Sequence, residues 1–181
     1  NSASLATPTL DALLIHKTKL PKNVKRTPLF GLGCAGGAVG LSRAASFAQA
    51  FPKENVALIA VELCGHAFSP ADKSAQNLIA ASLFGDGAAG VLLKGEKTNQ
   101  AKAEILATWS VTFPDSIGVM GWNFSELGLG LVLSRDLPNI VRKHLRPALD
   151  SFLESRDLSL ANISQFIVHP GGPRVIEAVQ D

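Results

Sequence analysis

A chain of 181 residues with 46% hydrophobic and 18% charged residues has the balance of a protein that buries a core, the reverse of a disordered one. A formal net charge of +2 is too small to argue for nucleic acid or an anionic membrane surface as a partner. Two cysteines, Cys34 and Cys64, make no disulfide framework, and four histidines without HxxxH or CxxC spacing make no zinc motif. A reducing compartment, the cytoplasm, is then the default.

In chain order, the basic stretch His16 to Arg26 (HKTKLPKNVKR) reads as a solvated connection rather than a binding arm. Arg26 to Gly33 reads as a short buried strand entering a tight turn. From Ala35 to Phe51 small and apolar residues recur at helical spacing, and Pro52 closes the segment. The apolar run Val56 to Leu63 (VALIAVEL) predicts a strand covered on both faces; it is too short for a bilayer and carries a glutamate. Pro70 to Ser82 is helix-like. Ser82 to Gly95 (SLFGDGAAGVLLKG) reads as a strand, a glycine turn and another strand.

Lys102 to Phe113 reads as a further strand. Asp136 with Pro138 opens a helix reaching to about Ser155 and kinked at Pro147. The run SQFIVHPGG is a strand that feeds a turn with His169 at its end. Strands alternating with helices predict an α/β protein with largely parallel, buried sheets. The polar stretch Gly95 to Ala103 is the expected boundary between two halves, 1–99 and 100–181. The chain begins at Asn1 without methionine and ends shortly after a glycine-rich turn, which reads as a piece of a longer protein.

Two chemistries compete for the stretch PLFGLGCAGGAVGLSRAA (Pro28 to Ala45). Gly31-x-Gly33-x-x-Gly36 spells the dinucleotide fingerprint, in which glycines let a pyrophosphate approach a helix N-terminus. Glu62 would be the ribose acid, although it lies farther on than the usual interval of about twenty residues. Alternatively the loop presents Cys34 as a nucleophile. At the first turn of a helix, the positive end of the macrodipole favours the thiolate, and the glycines leave room for a carbonyl. The bland alternative is a small residue in the core. From this window alone the small core residue is the favoured reading.

Four further segments bear on the choice: LFGDGAAGVLL, PDSIGVMGWN, LGLVLSRDLP and FIVHPGGPRVIEAV. Together with GLGCAGGAVGLSRAA they resemble, in order and with small gaps from about Leu5 to Asp181, the type III polyketide synthases of the chalcone synthase family. HPGG is the most specific piece. GDGA is shared with ketoacyl-carrier-protein synthases of the third type, the nearest enzymatic alternative. A dinucleotide-binding module, and a non-catalytic relative serving as a binding domain, are the alternatives of other classes.

The resemblance implies the central part of a thiolase-like layered αβαβα fold: the end of an N-terminal half with the nucleophile and the start of a C-terminal half with a catalytic histidine. It implies iterative decarboxylative condensation of malonyl-CoA onto an acyl-CoA starter, in a homodimer, with CoA thioesters as substrates. No metal, separate cofactor, nucleic acid or stable membrane association is implied. Cys34 matches the acyl-accepting nucleophile, and His169, in a turn with Gly171 and Gly172 at the substrate, matches the group that activates it. Phe84 matches an aromatic gatekeeper, and Glu62, Cys64 and Ala67 fall on the cavity wall. Asp86, between two glycines, reads as a turn residue rather than an acid catalyst.

Leu131 stands where plant members carry a second gatekeeper phenylalanine, and Ala67 where they carry a threonine. With MGWN (Met120 to Asn123) these departures resemble microbial members that accept aliphatic starters. The family's catalytic asparagine lies beyond HPGG, and its CoA-binding basic residues lie largely before Asn1. Residues 1–181 alone are therefore expected to show negligible condensation.

Overall fold

The computed structural model describes residues 7–67, 70–96, 101–125 and 128–181. The chain divides into two compact units, one of Asn1–Phe68 with Phe84–Thr108, the other of Ser69–Leu83 with Trp109–Asp181.

The first unit contains helix α1 (Leu10–Lys17), helix α2 (Gly36–Ala50), strand β1 (Asn55–Glu62) and strand β2 (Gly87–Lys94), which form a two-stranded ribbon. The register places Asn55 opposite Lys94 and Glu62 opposite Gly87, so the pairing is antiparallel, not parallel as strand–helix alternation predicts. The reason lies in the connection. β1 ends at Glu62 and β2 begins opposite it at Gly87, so β2 runs back along β1.

Val56 and Leu58 share one face of this ribbon with Leu93, and α2 lays Ala44, Ala45 and Ala48 against it, with Leu41 and Ile105 at the margin. An alanine methyl supplies only about 0.8 kcal/mol of burial. The alanines therefore matter less for area than for letting the helix lie close to the strands. The other face carries Ile59 and Leu92, 49% and 62% exposed. Among the described residues β1 is thus covered on one face, where its apolar run predicts two.

Close approach also explains Gly95. A Cβ there would sit 2.0 Å from the Ala48 carbonyl oxygen and 2.7 Å from Pro52 Cα, both backbone atoms. Gly95→Ala must push the end of β2 off α2, which costs about 1–3 kcal/mol in a packed interior. A clear drop in urea midpoint is expected, and an unchanged midpoint would contradict this packing.

Near its start, the first unit uses two of its basic residues structurally. Lys25 reaches Glu54 at 2.6 and 2.9 Å and lies 4.4 Å from the Phe51 ring centroid. Arg26 pairs with Asp11 on α1 at 2.5 Å and donates to Thr9. The Arg26 hydrogen bond holds the Asp11 carboxyl below its ordinary range; burial opposes this and Thr9 assists.

In the second unit lie α3 (Ala75–Leu83), an antiparallel hairpin of β3 (Met120–Ser125) and β4 (Gly128–Leu133), α4 (Leu137–Glu154) and α5 (Pro173–Gln180). Residues 82 and 83, expected in a strand, complete α3, and the Ser82 hydroxyl donates back to the Ile79 carbonyl within the last turn. Helix α4 begins as its sequence predicts, with Asp136 before it and Pro138 in its first turn; Pro147 lies inside it. Leu153 of α4 and Ala178 of α5 are buried, and Arg142 of α4 meets Asp181 at 2.7 Å.

Residues 102–113, expected as a strand, have no ladder partner among the described residues. Part of this segment instead lines α4. Trp109 stacks on Phe152 with centroids 5.5 Å apart, and Phe113 on His144 at 4.8 Å. Four residues of extended chain match eight of helix in length, roughly 13 against 12 Å, so this register suits a run antiparallel to the helix.

Candidate active site

Cys34 is the middle residue of a single 3-10 turn, Gly33–Ala35, that leads directly into α2. The turn closes through the Ala35 N–H on the Leu32 carbonyl at 3.1 Å. Gly31 and Gly33 adopt φ of 81° and 50°, a region that side chains disfavour. Gly31 and Gly33, the first two glycines of the GxGxxG pattern, are therefore required by the bend itself, without any phosphate, whereas Gly36 is ordinary right-handed helix at φ −56°. A Cβ added at Gly31, Gly33 or Gly37 would meet nothing within 4 Å. Cys34 is exposed in this open surround, not a core residue, and no disulfide joins it to Cys64. No strand is formed over 26–33 and the ribbon is antiparallel, so among the described residues there is no parallel βαβ frame of the kind a dinucleotide fingerprint needs.

The proposed wall residues collect at one end of the ribbon. Glu62 closes β1, half-buried, and Cys64 begins the 3-10 turn Cys64–Ala67. The side chain of Ala67 lies outside the described residues. Phe84, half-buried, stands in the loop that enters β2 at Gly87, opposite Glu62. Asp86 joins these two segments: the Gly65 N–H donates to its Oδ1 at 3.0 Å. It stands in an irregular connection between α3 and β2, not in a turn as its glycine neighbours suggest, and its partner is one the sequence does not reveal.

The remaining candidates belong to the second unit. Leu131 on β4 pairs directly with Trp122 on β3, so two separate sequence motifs form one hairpin. An alternation was present to find it, with Met120, Trp122 and Phe124 on one strand and Leu129, Leu131 and Leu133 on the other, broken only by Val132. His169 is exposed, just before the turn that starts α5. Its carbonyl accepts the Gly171 N–H at 2.9 Å, and its Nε2 lies 3.8 Å from where a Cβ on Gly171 would stand. A Cβ at 171 would meet the imidazole at ordinary contact distance.

Gly172 caps α5 at φ 113° and ψ 159°, a conformation essentially confined to glycine, and its carbonyl accepts from Val175 and Ile176 at 3.0 Å. Gly172→Ala is expected to cost on the order of 1–3 kcal/mol and to loosen the His169 turn. A thermal melt reads this, and an unchanged midpoint contradicts it. No group of three or more metal-ligating side chains is present among the described residues. Nor, among them, is any helix long and apolar enough to cross a membrane.

Residues 1–97 match the family model of the N-terminal domain of chalcone and stilbene synthases. A candidate chalcone synthase of Bacillus subtilis (strain 168) is 43% identical over 184 residues, covering 98% of this chain and 50% of that protein. The 1,3,6,8-tetrahydroxynaphthalene synthase of Streptomyces peucetius subsp. caesius is 39% identical, covering 98% and 48%. The crystal structure of 1,3,6,8-tetrahydroxynaphthalene synthase from Streptomyces coelicolor A3(2), a bacterial type III polyketide synthase, superposes with a TM-score of 0.88. It shares 26% identity over 97% of this chain and 49% of its own. The fold is therefore the mixed α/β, thiolase-like architecture of these enzymes, in part. The chain belongs to the chalcone and stilbene synthase family, the type III polyketide synthases. It spans about half the length of the relatives it matches.

Proposed function

We propose that this chain is the part of a type III polyketide synthase that carries the acyl-accepting nucleophile and its activating histidine. The observation that carries the reading is Cys34, exposed on a glycine-lined turn at the mouth of α2 in a chain of this family. The thiolate attacks an acyl-CoA carbonyl, expels CoA and holds the starter as a thioester. His169 takes the thiol proton and afterwards donates a hydrogen bond to the thioester oxygen while malonyl-CoA loses carbon dioxide and its enolate attacks. The longer enzyme works as a homodimer in the reducing cytoplasm and supplies the asparagine and the basic CoA contacts.

Glu62, Cys64, Ala67, Phe84 and Leu131 line the acyl passage, with Gly171 and Gly172 leaving space beside the imidazole. Leucine at 131 and alanine at 67 give an apolar, small or flexible wall, which suits an aliphatic starter. Competition between octanoyl-, lauroyl- and benzoyl-CoA for the full-length protein tests this. Preferential use of the aliphatic chains is expected; preference for benzoyl-CoA with no use of the others would overturn it.

A further inference from the structure

The ribbon ends at the Glu62–Gly87 pair, and beyond it the chain diverges into the Cys64 turn on one side and the Phe84 loop on the other. The Asp86 carboxylate spans this divergence. Its Oδ1 accepts the Gly65 N–H at 3.0 Å, and a Cβ on Gly65 would stand 3.6 Å from Oδ1 and 4.0 Å from Oδ2. The carboxylate thus lies beside Gly65, within ordinary contact distance of where a side chain there would begin. A hydrogen bond to an ionised acceptor is about twice as strong as a neutral one. Cys64 adjoins the donor residue in sequence, and Phe84 lies two residues before the acceptor.

We propose that Asp86 is a positioning residue: it fixes the Cys64–Ala67 turn against the Phe84 loop and so sets the width of the acyl passage, and with it the starter length accepted. The tie itself follows from the hydrogen bond; its part in chain-length selection rests on the function proposed above. Loss of the acceptor removes this tie between the turn and the Phe84 loop and loosens the spacing between Cys64 and Phe84. Asparagine keeps an oxygen acceptor at the same reach, so Asp86→Asn should preserve the spacing, whereas Asp86→Ala removes it.

Two measurements on the full-length protein decide this. The first is the iodoacetamide alkylation rate of Cys64, read by peptide mass spectrometry against Cys34 and needing no substrate. Asp86→Ala is expected to raise it roughly five- to tenfold, the shift that losing one solvent-exposed hydrogen bond gives, with Asp86→Asn within about twofold of the parent. An unchanged rate in folded Asp86→Ala overturns the tie. If circular dichroism shows that Asp86→Ala does not fold, Asp86→Glu decides: it keeps the charge but displaces the acceptor by a methylene, and a parental rate there overturns the tie.

The second measurement is the ratio of Cys34 acylation rates with lauroyl- and butyryl-CoA. Asp86→Ala should change this ratio severalfold and Asp86→Asn restore it. Faster Cys64 alkylation with an unchanged ratio overturns the role in selection. Parent protein that no acyl-CoA acylates fails the functional reading instead, and the alkylation rates still decide the tie.

Discussion

Cys34→Ala is expected to abolish acyl loading, a loss on the order of 10⁴-fold or more, the scale on which removing a covalent nucleophile acts. No neighbour replaces the thiol in kind: Cys64 belongs to a different turn, half-buried, at the end of the β1–β2 ribbon. Because Cys34 is exposed and its loop is shaped by Gly31 and Gly33, the alanine variant should fold with stability within about 0.5 kcal/mol of the parent. That separates chemistry from folding. Cys34→Ser should also fold and load poorly, since a hydroxyl at its ordinary pKa is a weak nucleophile. Acylation of the alanine variant at the parental rate would assign the nucleophile elsewhere.

His169→Gln is the second large effect. Glutamine can donate a hydrogen bond to a thioester oxygen but cannot take a proton from a thiol, so it removes activation and spares much of the oxygen contact. Acyl loading should fall by about 10²–10⁴, the usual contribution of a positioned acid–base group. The rate of Cys34 alkylation at neutral pH should fall with it. His169 is exposed and only its carbonyl is engaged in the turn with Gly171, so the fold should survive. A parental alkylation profile in this variant would remove His169 from the catalytic set.

Helix boundaries were legible where propensity, capping residues and breakers agreed. Helix α2 follows the small, apolar spacing up to Pro52, and α4 starts beside Asp136 and Pro138 as its residues dictate. The strand β1 was equally plain from its apolar run. Pairing was not legible, because a sequence displays a strand's propensity but not its partner. The helical connection between β1 and β2 suggested a parallel crossover, yet the chain returns to the end it left. The expected strand at 102–113 finds its described contacts on α4 instead, through Trp109 and Phe113. The β3–β4 hairpin had a signal of its own, Met120, Trp122 and Phe124 opposite Leu133, Leu131 and Leu129.

The candidate site divides the same way. The residue types that carry the chemistry, Cys34 and His169, could be picked out because each sits in a glycine turn of distinctive sequence. Their turns are built as those sequences demand, with positive φ at Gly31, Gly33 and Gly172. The tie between Asp86 and Gly65 could not be foreseen, since it links residues on either side of a long excursion by one side-chain oxygen.

One measurement bears most directly on the central claim. The full-length protein is mixed with lauroyl-CoA, quenched in acid, digested and mapped by mass spectrometry. The account predicts a lauroyl increment on the peptide containing Cys34, formed before any malonyl-CoA is added and lost on treatment with hydroxylamine. An increment confined to the Cys64 peptide, or none at any cysteine while condensation proceeds, would contradict it.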